Sequence, residues 1–298
     1  MTFGRLSATI VNGWRRYTYT RNIDNRAYAV QIFRAWNIAA AVSTTRRNAN
    51  DIFPPTWLCP NEHVACQTNG NYLDVNGTNF FHGIYFTRSG NNFQLAKDGV
   101  INPNSTQLQA GLGEGQGGWF RYSPSFCIRP DMSADIRWLS NQGGGSRTTI
   151  AQARERYIRI IPGQHCLVHN SRPVFENQPV FSWEGVTIAD WNDLGNIWNH
   201  HNEAIGGFTG DAERRRTLLG HVRSNNSFLM VVVEGNNSSN TGGGGFTGMD
   251  YRTAARMMAD LGCDYAINLD GGSPTQMFER RVRRYGDIFG VGSSICAF

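Results

Sequence analysis

The most informative segment of the sequence begins with Ser227-Phe-Leu-Met-Val-Val-Val233, a continuous run of apolar and β-branched residues. Such a run predicts a strand that is buried on both faces. Thr247-Gly-Met-Asp250 then has the pattern of a capping box and predicts the start of a helix that continues to about Leu261. A second strand, Tyr265-Ala-Ile-Asn-Leu269, is predicted to run into Asp270-Gly-Gly-Ser273. The order along the chain is therefore strand, helix, strand.

An acidic residue directly follows each of these two strands. A helical crossover of this length joins parallel strands, so Glu234 and Asp270 are expected at the same edge of the sheet. Their backbones would be ~5 Å apart on adjacent strands and at most ~10 Å apart across one intervening strand. Pairs of carboxylates at such separations hydrolyse glycosidic bonds. The alternative is that Glu234 caps a turn and Asp270 stabilises the Gly-Gly turn. The glycine-rich loop Asn236–Gly245 is interpreted as a lid over this edge.

The rest of the chain predicts short strands and exposed turns. Of the 298 residues 34 are glycine and only 17% are charged, which suits strands and turns better than a helical bundle. Tyr28–Phe33 and Ile38–Ser43 have the apolar pattern of strands. We predict an α+β fold with a mixed β-sheet core, a C-terminal parallel strand-helix-strand unit and loops rich in glycine and asparagine. Residues 1–298 are predicted to form a single domain.

Composition and missing motifs exclude several classes of protein. Hydrophobic residues make up 40% and aromatic residues 12% of the chain, which excludes a disordered or fibrous protein. No run of 18 apolar residues predicts a transmembrane segment. The absence of a P-loop motif argues against an NTPase, and the absence of Gly-x-Ser-x-Gly argues against acyl transfer. No signal peptide is recognised, so a cytoplasmic location is favoured over a secreted one.

Cysteine and histidine spacing leaves the metal content open. The six cysteines show no zinc-ligand spacing, and both disulfides and buried thiols are compatible with their positions. His200-His201-Asn-Glu203 fits no standard ligand motif, because adjacent ligands point apart. The sequence therefore requires no cofactor, and a divalent metal is neither predicted nor excluded.

The formal net charge of +5 comes almost entirely from arginine, since Lys97 is the only lysine. The densest basic cluster contains Arg280, Arg281, Arg283 and Arg284. Alternate residues of a strand point to opposite faces, so this cluster does not form one continuous basic face. A solvated surface is the favoured interpretation and a polyanion-binding patch is the alternative. Neither a membrane nor a nucleic acid is predicted as a partner.

Four segments resemble those of one known family. Asn268-Leu-Asp-Gly-Gly-Ser273 resembles the Asn-Leu-Asp-Gly-Gly-Gly-Ser signature of the phosphodiester glycosidases. Arg216-Thr-Leu-Leu-Gly220 resembles the Arg-Thr-x-x-Gly segment before the core strand of that family. Ala65-Cys-Gln-Thr-Asn-Gly-Asn-Tyr72 and Cys166-Leu-Val-His-Asn170 are similar to two further family segments. The four follow the family order and cover about residues 64–278. The N-terminal strands within residues 1–60 and the tail 279–298 are expected to pack on this core.

The chain departs from the family pattern in two places. The third glycine of the signature is absent, so Ser273-Pro-Thr275 stands where the family has Gly-Ser-Thr. Asn71 and Leu73 replace a glycine and an aromatic residue around Tyr72. These departures bear on the identity of the substrate more than on the fold.

The resemblance implies hydrolysis of a sugar-1-phosphodiester, or of a similar nucleotide-sugar, at the anomeric carbon. Asp270 and Glu234 are then the expected catalytic residues, and Arg216 is expected to hold the phosphate. The other expected substrate-binding residues are Asn69, Thr217, Gly271, Gly272, Ser273 and Thr275. The alternative is a non-catalytic protein that sequesters a phosphorylated sugar or nucleotide. Either function predicts a small-molecule partner.

Overall fold

The structure is a computed structural model of the chain. The residues it describes are 13–21, 26–42, 55–58, 64–70, 86–89, 92–95, 124–140, 148–163, 165–174, 181–183, 186–188, 213–235, 246–287, 290–291 and 293–298. The loop Asn236–Gly245, interpreted above as a lid, lies outside these residues, as do His200, His201 and Glu203.

The described part of the chain consists mainly of short strands. In chain order its elements are β1 (Gly13–Arg21), β2 (Arg26–Ala35), β3 (Ile38–Val42), α1 (Pro55–Leu58), β4 (Cys66–Asn69), β5 (Phe86–Ser89), β6 (Asn92–Leu95), β7 (Pro124–Ile128), β8 (Ala134–Ser140), β9 (Thr148–Thr149), α2 (Ile150–Arg156), β10 (Arg159–Pro162), β11 (His165–His169), β12 (Arg172–Pro173), β13 (Phe181–Trp183), β14 (Val186–Ile188), β15 (Arg216–Val222), β16 (Ser227–Val233), α3 (Tyr251–Asp260), β17 (Tyr265–Asn268), β18 (Met277–Glu279), β19 (Val282–Tyr285) and β20 (Ser293–Ala297).

Three larger sheets organise these strands. The central sheet has the order β1-β2-β16-β15-β17-β11-β12, the second sheet β6-β5-β10-β7-β8-β9 and the third sheet β19-β18-β4-β20-β3. β13 and β14 form a separate hairpin. The strands near the two ends of the chain, β3 and β20, pair with each other in the third sheet.

The prediction of an α+β fold with a parallel strand-helix-strand unit is wrong, because the protein is predominantly β. Every neighbouring pair in the central sheet is antiparallel. β15 directly precedes β16 in the chain, and a turn at Arg223–Asn225 joins the two strands as an antiparallel pair. In the sheet, β15 lies between β16 and β17. The two predicted strands therefore run in the same direction but do not pair. The prediction failed because it assigned no strand to Arg216–Val222, the hairpin partner of β16.

Several local predictions are confirmed. Ser227–Val233 is a strand with all seven residues buried, and Tyr265–Asn268 is a strand as well. Tyr28–Phe33 lies within β2, and the next predicted strand corresponds to Ile38–Val42.

The sequence was compatible with both disulfides and buried thiols, and the five cysteines in the described part of the chain are buried free thiols. No helix of the described segments is both long and apolar enough to cross a membrane.

Helix α3 begins later than predicted. Asp250, not Thr247, is the N-cap: its side chain accepts hydrogen bonds from the Thr253 N–H at 2.7 Å and from Thr253 Oγ1 at 2.9 Å. These bonds satisfy one of the free N–H groups of the first helical turn. Gly262 ends the helix with a φ of 86°, which glycine adopts without strain.

Helix α3 packs closely on one face of the central sheet, which we call the helix face. A Cβ atom at Gly220 of β15 would lie 2.5 Å from Cys263 Sγ and 2.7 Å from Met258 Cε. Only a residue without a side chain allows the helix to approach this strand so closely. The opposite face packs on the second sheet, where Phe228 meets Phe126 edge-on at 6.2 Å between ring centroids. The central sheet is thus covered on both faces.

Candidate active site

The predicted signature lies at the edge of the central sheet where β17 ends and β15 begins. Leu269 donates its N–H to the Thr217 carbonyl oxygen at 2.8 Å, so the chain stays beside β15 for one residue beyond β17. Asp270 then donates its N–H to the Gly70 carbonyl oxygen at 3.1 Å, which joins the signature to the end of β4. The candidate site therefore stands where the central and third sheets meet.

Asn69 holds this junction together from the inside. The residue is only 1% exposed. Its Nδ2 donates to the Asp270 carbonyl oxygen at 2.9 Å, and its Oδ1 accepts from Thr217 Oγ1 at 2.7 Å and from the Gln276 N–H at 3.2 Å. Asn69 and Thr217, both expected to bind substrate, use these polar groups within the protein. Their interaction joins β4, β15 and the signature turn.

Close backbone packing explains the two glycines of the signature. Gly272 has a φ of 71° and donates its N–H to the Arg215 carbonyl oxygen at 3.0 Å. A Cβ atom at Gly271 would lie 2.7 Å from that same oxygen. The Gly272 amide is therefore used internally, whereas the Gly271 amide donates to the Asp270 carboxyl group.

Ser273 and Thr275 continue the same turn. Ser273 is half-buried and Thr275 is fully buried. Thr275 Oγ1 has no hydrogen-bond partner among the described residues. A buried polar group without a partner costs about 1–3 kcal/mol. Thr275 thus has an unused hydrogen-bonding group close to the glycines of the signature.

Asp270 carries a strongly perturbed carboxyl group. Burial raises the pKa of Asp270 from 3.8 to about 8, and the hydrogen bond from the Gly271 N–H opposes this rise. Apolar surroundings disfavour the charged form of a carboxyl group, and carboxyl groups perturbed in this way concentrate in active sites. Asp270 is therefore mostly protonated at pH 7 and gains or loses a proton within the range where enzymes work.

Arg216 lies on the helix face beneath the first residue of α3. Its guanidinium carbon is 3.8 Å from the centroid of the Tyr251 ring, and its Nε donates to the Met249 carbonyl oxygen at 2.9 Å. Burial lowers the pKa of Arg216 and raises the pKa of Tyr251. Arg216 opposes this rise in the pKa of Tyr251, and Asp270 adds to it. Tyr251 thus lies within electrostatic reach of both the expected phosphate ligand and the expected catalytic carboxyl group.

Two more buried polar side chains contact the same tyrosine. His165 of β11 meets the Tyr251 ring edge-on with centroids 4.5 Å apart, and Asn268 of β17 donates Nδ2 to Tyr251 Oη at 3.4 Å. His165 and Asn268 are directly opposite each other in the β11–β17 ladder, so their side chains share the helix face.

Tyr251 and His165 were not among the predicted site residues. Each reaches the cluster through contacts between segments that are far apart in the chain, and no local pattern marks them. Asn268 does belong to the quoted signature. Membership in that signature is the signal that could have identified it.

Glu234 does not join this cluster. Its carboxylate accepts two hydrogen bonds from the Arg16 guanidinium, at 2.6 and 2.9 Å, and one from Gln31 Nε2 at 3.1 Å. The Glu234 side chain is only 11% exposed, compared with 45% for Arg16. The glutamate therefore ties strand β1 to the end of β16.

Strand alternation explains why the two predicted acids separate. Val233 pairs with Arg216 and shares the helix face with it, so the next residue, Glu234, points to the opposite face. Asp270 instead lies within electrostatic reach of Tyr251, on the helix side. Both acids follow strands that run in the same direction and end at the same edge. They lie on opposite faces, and the expected carboxylate pair does not form.

Metal ligands are not clustered in the described part of the chain. No group of three or more histidine, cysteine, aspartate or glutamate side chains there is arranged to hold a metal ion.

Comparison with known proteins identifies the family. The sequence profile of the phosphodiester glycosidases matches residues 66–296. The chain belongs to this family. The resemblance found in four short segments is thereby confirmed, and this phosphodiester glycosidase is a glycosidase-type hydrolase.

Solved structures share the fold of this phosphodiester glycosidase. The catalytic domain of zebrafish N-acetylglucosamine-1-phosphodiester alpha-N-acetylglucosaminidase is 15% identical, with a TM-score of 0.62 over 100% of this chain and 86% of that chain. A hypothetical protein from Synechocystis is 10% identical, with a TM-score of 0.54 over 95% of this chain and 62% of that chain. At these identities the similarity shows the fold alone. No curated protein matches the sequence.

Proposed function

We propose that this enzyme hydrolyses the bond between the anomeric carbon and the phosphate oxygen of a sugar-1-phosphodiester or nucleotide-sugar. Asp270 acts at the anomeric carbon and Arg216 binds the phosphate. The observation that carries the proposal is the perturbed carboxyl group of Asp270 in the signature turn. Burial raises the pKa of this group to about 8. Family membership supports the reaction type.

In this proposal Asp270 is a general base. Its deprotonated form accepts a proton from the attacking water as the water oxygen bonds to the anomeric carbon. The bond from that carbon to the phosphate oxygen breaks with its electron pair, and a free sugar and a phosphomonoester result. The phosphate is a good leaving group and needs little help from an acid. A base whose pKa lies close to the working pH combines a populated basic form with a strong tendency to take up the proton.

Arg216 supplies the positive charge for the phosphate. Arginine binds phosphate oxygens through two parallel N–H groups, and its charge persists even where burial lowers its pKa. The stack against Tyr251 and the bond to the Met249 carbonyl oxygen fix the plane of the guanidinium. A donor that is already oriented in a buried site does not have to be reoriented when the negative charge of the leaving group develops, so no free energy is spent on that step.

The remaining predicted residues divide into two groups. Asn69, Thr217 and Gly272 position the turn, because their polar groups are bonded within the protein. Ser273 and Thr275 are proposed to contact the substrate, since Thr275 Oγ1 has an unused bonding capacity. Glu234 is not included in the proposed chemistry, because its carboxylate is bound by Arg16 on the opposite face.

The test is the release of sugar from a panel of glycosyl-1-phosphodiesters and nucleotide-sugars. Asp270→Asn should lower kcat by ~10²–10⁴-fold, the contribution typical of a general base. The matched control is Asp131→Asn, which removes an exposed acid near Asn226, at the opposite end of β15 and β16. This control should keep wild-type activity. Tight binding without turnover by the wild type would favour the sequestering function. Full activity of Asp270→Asn would refute the assigned role.

A further inference from the structure

Strands β18 and β19 form a hairpin, Met277–Tyr285, whose two-residue tip is Arg280 and Arg281. We call this segment the basic hairpin. Both tip residues have positive φ, 46° and 66°. This combination is a type I′ turn, for which asparagine and glycine are strongly preferred. Each L residue with a β-carbon costs roughly 1–2 kcal/mol in this conformation. Fold stability alone therefore disfavours the two arginines, and such strain points to a functional surface.

The basic hairpin carries much of the charge of the protein. Its nine residues contain four arginines and one glutamate, which is +4 − 1 = +3 out of the total formal charge of +5. Arg284 donates two hydrogen bonds to Glu279, at 2.9 and 2.6 Å. Arg280, Arg281 and Arg283 are exposed. Exposed guanidinium groups bind phosphate oxygens through paired N–H donors.

The base of the basic hairpin adjoins the candidate active site. Gln276, just before β18, donates its N–H to Asn69 Oδ1 at 3.2 Å, and Tyr285 Oη accepts from the Gly235 N–H at 2.8 Å. At the other end of β4 the Arg280 N–H donates to the Ala65 carbonyl oxygen at 3.0 Å. Asn69 is four residues beyond Ala65 along the extended chain, so the tip backbone lies ~13 Å from the Asn69 backbone. One phosphate group cannot bind at both places, because hydrogen bonds span about 3 Å.

We propose that the basic hairpin binds a second phosphate of an extended substrate, a linear polymer of sugars joined by 1-phosphodiester bonds. This inference rests on the proposed function and extends it from a small molecule to a polymer. The cleaved bond lies at Asp270, and the exposed arginines hold a phosphate further along the same chain. Binding at the two places together makes the second contact intramolecular, which strengthens binding of the polymer but not of a single repeat unit.

The basic hairpin fits a sugar-phosphate polymer better than a single-stranded nucleic acid. Proteins that hold single strands stack the bases on exposed aromatic rings. The two aromatic residues of this hairpin are not available for stacking at the tip. Phe278 is only 5% exposed, and Tyr285 is anchored by its hydroxyl group to Gly235 at the base.

The experiment compares a polymer with its own repeat unit. The probes are poly(N-acetylglucosamine-1-phosphate) and N-acetylglucosamine-1-phosphate methyl ester, with a single-stranded oligonucleotide as the third ligand. The test variant is Arg280→Gln/Arg281→Gln/Arg283→Gln in the full chain. The matched control is Arg15→Gln/Arg156→Gln/Arg172→Gln, which removes three exposed charges on other elements. Affinity for each probe is measured at 50 and 200 mM NaCl, together with kcat/KM for both sugar phosphates.

The wild type and the control should bind the polymer with a logarithmic salt slope of about −1.4, since the phosphates at Arg216 and at the basic hairpin each contribute ~0.7. The test variant should keep only about half of this slope, bind the polymer roughly 8-fold more weakly at 50 mM NaCl, and keep the wild-type kcat/KM on the methyl ester. Equal polymer affinity of the test variant and the control would overturn the proposal, and so would a wild type that binds the oligonucleotide more tightly than the polymer. Failure of the wild type to cleave either sugar phosphate, with polymer binding intact, would refute the proposed function and leave the polymer site standing.

Discussion

Replacing Asp270 with asparagine is expected to stabilise the protein while it removes activity. Burial raises the pKa of this carboxyl group from 3.8 to about 8. In the unfolded chain the group ionises freely, whereas in the folded protein it keeps its proton or carries a buried charge. Both outcomes cost folding free energy. Asparagine has nearly the same shape, accepts the Gly271 N–H in the same way, and does not titrate.

The magnitude follows from the difference between the two pKa values. Below pH 4 both states are protonated and the cost is absent. As the pH rises from 4 to 8 the unfolded chain loses its proton and the folded protein retains it, so the folded state binds more protons and its stability falls. Each pH unit in this window costs ~1.4 kcal/mol, which amounts to about 4 kcal/mol at pH 7 and at most about 6 kcal/mol above pH 8. The free energy of unfolding of Asp270→Asn should exceed that of the wild type by up to these amounts.

The assay is urea unfolding of the wild type and Asp270→Asn at pH 5, 7, 8 and 9. The difference in unfolding free energy should grow between pH 5 and 7 and change little between pH 8 and 9. Glu155→Gln is the control, because Glu155 is an exposed carboxylate on α2 and carries no burial cost. A difference that is independent of pH, or an Asp270→Asn protein less stable than the wild type at pH 9, would refute the argument that this carboxyl group is held in a desolvated site.

Four further outcomes are expected. The kcat/KM of the wild type should rise with pH to a plateau with an apparent pKa near 8, since Asp270 is proposed to work in its deprotonated form; a fall with rising pH would assign it the role of an acid. Arg216→Lys should raise KM by about 10–100-fold, because lysine lacks the planar pair of donors worth ~1.5–3 kcal/mol, as substrate titration would show. Glu234→Gln should keep kcat within about twofold and lose roughly 1 kcal/mol of stability in urea, since it removes a partly exposed ion pair with Arg16. Asn69→Ala should cost about 3 kcal/mol in the same unfolding assay, because it leaves the Thr217 hydroxyl group and two backbone groups without their partner.

Part of the candidate site could be predicted from sequence because its signals are local. The signature glycines stand where the backbone passes within contact distance of Arg215, and the family segments follow one another in the expected order. Tyr251 and His165 could not be found in this way. Tyr251 occupies an ordinary first helical position, and it becomes a site residue only because β11, β15 and β17 bring three polar side chains against it.

Features that depend on neighbours along the chain can be predicted from the sequence alone. The apolar run Ser227–Val233 forms a strand buried on both faces, and Gly262 ends a helix because glycine tolerates positive φ. The identity of neighbouring strands and the face taken by each side chain depend instead on contacts between distant segments. Insertion of β15 between β16 and β17 made the central sheet antiparallel. The alternation of side chains across a strand then left Glu234 paired with Arg16 on one face and Asp270 within electrostatic reach of Tyr251 on the other. The face of a residue depends on register, and register is set by pairing between distant segments.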